Sequence, residues 1–118
     1  YGHAGGDAVL ISFAQLLQTE ISSPNIVGRI GGEEFLAILY LDPDQAKEFC
    51  TKLIKKINTN VVNFEGTDIK VSSSGGVAFS TETATSADLM NKADERLYEA
   101  KKDGRNRFKL IDTELVGD

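Results

Sequence analysis

The chain has 118 residues, 41% of them hydrophobic and 26% charged, with a formal net charge of −5. That length supports one domain that buries roughly two-thirds of its unfolded surface, and leaves no room for two independent folds. Apolar residues in periodic blocks exclude disorder, and the acidic balance excludes nucleic acid as a bulk electrostatic partner.

The first predicted element is a helix over 7–21, where Leu10, Phe13, Ala14, Leu17 and Ile21 recur at helical spacing. Ser22-Ser23-Pro24-Asn25 breaks it. Two apolar runs, 26–30 and 35–41, then flank Gly31-Gly32-Glu33-Glu34, which is a hairpin pattern. The second run is apolar on both alternating faces, so a central strand buried on both sides is expected. At some seven residues it is strand-sized, far below the roughly eighteen a membrane span needs.

Asp42-Pro43-Asp44-Gln45 starts a second helix, with Asp42 as N-cap and Pro43 at the first helical position. Its apolar face carries Ala46, Phe49, Cys50, Leu53, Ile54 and Ile57. Cys50 is the only cysteine, so it makes no internal disulfide, and its place on that face reads as a buried thiol in a reducing cytosol. Strands follow over 61–64 and 69–79. A last helix over 87–102 is capped by Ser86 and stopped by Gly104, with Leu89, Ala93, Leu97 and Ala100 inward. A strand over 107–111 closes the domain, and 112–118 reads as a tail or linker. The order predicts an α+β fold: a central, mostly antiparallel sheet flanked by helices, with a hairpin at its most chemical point.

Three spots carry chemistry. Glu33 and Glu34 on the glycine hairpin either form an ordinary solvated turn or offer oxygen ligands to a hard cation such as Mg²⁺, while Gly31 and Gly32 let backbone approach a bulky ligand. Asp7, after a glycine-rich start, is either a helix N-cap or an acceptor for the N–H edge of a purine. Lys101 and Arg105, beside Gly104, either complement the end of a helix dipole or hold a polyphosphate. Ser72-Ser73-Ser74-Gly75-Gly76 lies within a strand pattern, so close backbone packing is favoured over a phosphate cradle.

Taken together, Tyr1-Gly2-His3, Gly6-Asp7, Arg29-Ile30-Gly31-Gly32-Glu33-Glu34-Phe35, Ser74-Gly75-Gly76-Val77, Ala93-Asp94-Glu95-Arg96-Leu97-Tyr98, Ala100-Lys101 and Gly104-Arg105-Asn106 resemble the GGDEF domain of diguanylate cyclases, over residues 1–111. The resemblance implies a ferredoxin-like, palm-type fold related to nucleotidyl cyclases. It implies an enzyme that condenses two GTP into the bacterial second messenger cyclic di-GMP, releasing pyrophosphate, in a homodimer whose domains face each other. By position, Glu33 corresponds to a Mg²⁺ (or Mn²⁺) ligand and Glu34 to the carboxylate that activates the 3′-hydroxyl or helps hold metal. Gly31 and Gly32 correspond to backbone laid against phosphates, Asp7 to a guanine ligand, and Lys101 and Arg105 to triphosphate ligands. An attached sensory or phosphodiesterase (EAL) domain and a cytoplasmic setting, including as part of a membrane-anchored protein, belong to the same expectation. The alternative is a catalytically degenerate module that binds GTP or a partner and regulates such an attached domain.

Two departures from the family pattern stand out. An inhibitory product site, Arg-x-x-Asp, precedes the signature in many members, whereas Ser22 to Asn25 has neither residue. The family's opening helix and strand, with a metal-binding aspartate and a guanine-binding asparagine, would fall before Tyr1, so the chain taken alone is expected to be inactive or nearly so.

Overall fold

A computed structural model describes residues 2–31, 34–111 and 114–117 of the protein. The chain divides into two compact units that interleave along the sequence: Tyr1–Asp42 with Ile57–Val71, and Pro43–Lys56 with Ser72–Asp118.

In the first unit, helix α1 spans Gly2–Glu20. It starts at Gly2 and not at residue 7, because Gly5 and Gly6 lie inside it. Each glycine costs a helix interior about 1 kcal/mol against alanine, so the pattern places the start after them. Gly5 is buried, and packing outweighs that penalty. Asp7 is therefore an interior helical residue, and its N-cap reading is corrected.

After the turn, β1 (Ile26–Gly31) and β2 (Glu34–Ile38) form an antiparallel hairpin with Ile26 opposite Ile38, Arg29 opposite Phe35 and Gly31 opposite Glu34. Asn25 closes the open end of the hairpin, its Oδ1 accepting the Tyr40 backbone N–H at 2.8 Å. Alternation divides the hairpin into two faces. The face with Val27 and Phe35 meets α1, where the Phe13 and Phe35 rings stand 5.4 Å apart at 59°. The other face carries Ile26 and Ile38, 59% and 53% exposed. The expectation that this second strand is buried on both sides is overturned: a helix covers one face of the described hairpin, and the run of apolar residues does not itself supply a second cover.

Strands β3 (Val61–Phe64) and β4 (Thr67–Lys70) form a second hairpin around Glu65-Gly66, with Val62 and Ile69 paired and buried. Asn60 Nδ2 donates to Ser12 Oγ at 3.1 Å, tying the start of this hairpin to α1. The strand expected over 69–79 is broken: β4 ends at Lys70, and regular pairing resumes only at Gly75. Helix α2 (Pro43–Thr59), of which Pro43–Lys56 belongs to the second unit, starts where Asp42-Pro43 directs it, and buries Ala46, Cys50, Leu53, Ile54 and Ile57.

The second unit is built on a three-stranded sheet in the order β5 (Gly75–Gly76), β6 (Arg107–Ile111), β7 (Glu114–Gly117). β5 and β6 are parallel, so the chain must cross over between them, and α3 (Ser86–Lys102) is that crossover, packed on both strands. The cap of α3 is Thr85 and not Ser86: the Thr85 hydroxyl accepts the Asp88 N–H at 3.1 Å. Residues 114–117, read from sequence as tail, pair antiparallel with β6, and Val116 is buried. Among the described residues no helix is long and apolar enough to cross a membrane.

α3 reaches β5 because Gly76 has no side chain. A Cβ at Gly76 would stand 2.0 Å from the Ala93 carbonyl oxygen and 2.3 Å from the Leu97 nitrogen. The glycine pair in the serine-rich run thus serves close backbone packing, as its strand context indicates.

Candidate active site

The hairpin end is the first group of candidate residues. Gly31 and Glu34 make its last cross-strand pair, and Glu34 is exposed. Gly32 and Glu33 lie outside the described residues. Phe35, next to Glu34, is the residue whose ring packs at a tilt against Phe13 of α1, so the carboxylate sits one residue from the contact that ties the hairpin to the helix. An exposed carboxylate at a fixed turn is a hard oxygen donor, and Mg²⁺ commonly takes only one or two protein carboxylates. Glu34 fits such an ion in kind. No cluster of three or more His, Cys, Asp or Glu occurs among the described residues.

Asp7 is exposed on α1, seven residues before Ala14 and hence two turns away on the same face. Ala14 and Leu17 line a cleft of about 110 Å³ with Val27, Arg29 and Phe35 of the hairpin. That volume is below the several hundred Å³ typical of small-molecule sites, so the cleft itself does not house a nucleotide. Asp7 and Glu34 thus belong to one unit, on elements that pack together.

Lys101 and Arg105 belong to the other unit, at the end of α3. Asp103 N donates to Glu99 O at 2.8 Å, and Arg105 N reaches back to Ala100 O at 3.0 Å. The reversal passes through Gly104 at φ 126°, as the glycine stop predicts, but the left-handed conformation continues into Arg105 (φ 60°) and Asn106 (φ 50°). For non-glycine residues that region is uncommon. Both Lys101 and Arg105 are exposed cations, as a phosphate-binding role requires. Tyr98, one turn after Asp94, is 68% exposed, so it does not serve as core packing.

Sequence reasoning missed a buried charge. Arg96 lies on the inner stripe of α3, 2% exposed, with Nη1 and Nη2 each 2.7 Å from the Glu82 carboxylate and Nη1 2.7 Å from Val77 O. The signal was available: Arg96 sits three residues after Ala93 and four before Ala100, among the apolar positions. Glu82 ends a short 3₁₀ turn, Ser80–Glu82, and its other partner is the Phe79 N–H at 2.9 Å.

Comparison with known proteins points in one direction. The family described as "Diguanylate cyclase, GGDEF domain" matches residues 1–107. Diguanylate cyclase DgcS of Shewanella oneidensis is 36% identical over 115 residues, covering 98% of this chain and 38% of DgcS. The chain spans well under half the length of the curated relatives it matches. Among solved structures, a sensory box/GGDEF family protein from Caulobacter crescentus is 34% identical with a TM-score of 0.78, covering 88% of this chain and 69% of that one. The active GGEEF domain of a diguanylate cyclase from Vibrio cholerae is 28% identical with a TM-score of 0.77, covering 97% and 73%.

Proposed function

Because the chain belongs to the GGDEF family of diguanylate cyclase domains, we propose that it supplies the GGEEF hairpin and the phosphate ligands of a domain that, in the full-length protein, condenses two GTP molecules into cyclic di-GMP as a facing homodimer, the chain taken alone being inactive or nearly so. The observation that carries this reading is the GGEEF sequence set on a hairpin end, with Glu34 paired to Gly31 and anchored through its neighbour Phe35.

In each half-reaction a ribose 3′-oxygen of one GTP forms a bond to the α-phosphorus of the other. The bond from that phosphorus to the bridging oxygen of the β-phosphate breaks, and pyrophosphate leaves. Glu34 accepts the 3′-hydroxyl proton, and two such steps close the ring. A Mg²⁺ ion bound by Glu33 and Glu34 would neutralise charge on the triphosphate. Gly31 leaves space for the phosphates against the backbone, Gly32 takes the same role by its family position, and Asp7 accepts hydrogen bonds from guanine N–H groups. Lys101 and Arg105 hold the triphosphate, Arg105 with the planar fork that suits phosphate oxygens. Phosphoryl transfer of this kind asks the protein for positioning and charge compensation more than for covalent chemistry.

The test is incubation of the full-length protein that carries this domain with GTP and Mg²⁺, followed by chromatography of the nucleotides. Cyclic di-GMP together with pyrophosphate is the expected outcome. GTP binding by the full-length protein with no product would make the domain a regulatory module instead.

A further inference from the structure

We infer that Arg107 is a positioning residue for Arg105, an inference that rests on the reading of Arg105 as a triphosphate ligand. Arg105 is held in a left-handed backbone conformation, which an L-residue with a side chain rarely adopts. On an exposed segment, that conformation persists only if its peptide groups are pinned. Both are. Its N–H is bonded to Ala100 O at 3.0 Å, at the end of α3. Its carbonyl accepts the Arg107 Nε–H at 3.0 Å.

The Arg107 guanidinium also stands over the turn itself: a Cβ added at Gly104 would lie 2.9 Å from Arg107 Nη2. Arg107 is a secure mount for this contact, because it is the first residue of β6 and pairs with Gly117 of β7. The helix end therefore fixes one side of Arg105 and the sheet fixes the other. The direction of the Arg105 Cα–Cβ bond follows from the two together. A side chain delivered in a set direction loses less entropy on meeting phosphate than one on a loose loop.

The bond also explains why arginine serves at position 107. Lysine keeps the charge but carries no Nε–H at that distance along the chain. The experiment is a double-mutant cycle read by calorimetric titration of the protein with GTP in the presence of Mg²⁺. Arg107→Lys is expected to weaken GTP binding about fivefold, the loss of one hydrogen bond of ordinary net strength. In an Arg105→Ala background the same substitution is expected to change affinity by less than about twofold, since no side chain remains to be positioned.

Arg107→Lys binding as tightly as wild type overturns the inference. So does an equal loss in both backgrounds, which would mark Arg107 as a direct phosphate contact or a general structural prop. Wild-type protein that ignores GTP, or Arg105→Ala protein that binds it as well as wild type, overturns the reading of Arg105 and the inference with it.

Discussion

Arg96 grips Glu82 through two parallel bonds of 2.7 Å, with the Arg96 side chain 3% exposed and that of Glu82 23% exposed. The pair joins α3 to the 3₁₀ turn before it, and Val77 O completes the contact from the strand side. The hydrogen bonds from Arg96 hold the Glu82 carboxyl below its ordinary value of 4.5, against the opposing effect of burial. A depressed carboxyl contributes stability that is complete above its unfolded pKa and is lost as the pH falls through its folded pKa. Unfolding free energy should therefore stay flat in this contribution at neutral pH and decline once acidified below about pH 4.5. Glu82→Gln should remove that part of the acid dependence. Glu82→Ala leaves a buried guanidinium without its carboxylate and should cost about 3 kcal/mol in urea titrations, much of it recovered when Arg96→Met is added.

Gly76→Ala should be among the most damaging single-atom additions in the second unit. The new methyl would meet backbone of α3 at 2.0 and 2.3 Å, and backbone cannot swing aside as a side chain can. A loss of about 3 kcal/mol or more is expected, seen as a lower thermal midpoint. Gly28→Ala is the control. No heavy atom lies within 4 Å of a Cβ there, so its stability should stay within about 0.5 kcal/mol of wild type and its midpoint should barely move.

Cys50 is 2% exposed, and burial pushes its thiol up to about 12. At pH 8 only about one thiol in ten thousand is then ionised, so disulfide reagents should find it inert in the folded protein. Full reaction should follow addition of denaturant. Rapid labelling without denaturant would contradict the burial.

The segment at Ser22 to Asn25 is spent on closing the hairpin, through the bond from Tyr40 N to Asn25 Oδ1. It offers neither the arginine nor the aspartate of the family's inhibitory site. Cyclic di-GMP added at the start should leave the initial rate of its own synthesis unchanged. Inhibition that disappears on replacing Ser22 to Asn25 would contradict this.

Much of this was readable in the chain, and the misses share a cause. The start of α2 at Asp42-Pro43, the glycine stop at Gly104 and the hairpin around Gly31 are set by local backbone preferences, which sequence states directly. The early start of α1 is not, because Gly5 enters a helix only when tertiary packing outweighs propensity. Strand β7 is four residues whose existence depends on a partner strand, and no local pattern marks it. Glu34, Asp7, Lys101 and Arg105 were legible as candidates through their correspondence with the family's motif positions. The left-handed backbone of Arg105 was not, since the only punctuation nearby, Gly104, accounts for its own φ and not its neighbour's.

The central claim is that Glu34 does the proton chemistry of cyclic di-GMP synthesis, and one comparison tests it most directly. Initial rates of cyclic di-GMP formation from GTP and Mg²⁺ are measured for the full-length wild-type and Glu34→Gln proteins side by side, with GTP affinity measured on both. The variant's rate should be lower by about a hundredfold or more, the scale of losing a positioned acid–base group. Equal rates in the two proteins would contradict the claim.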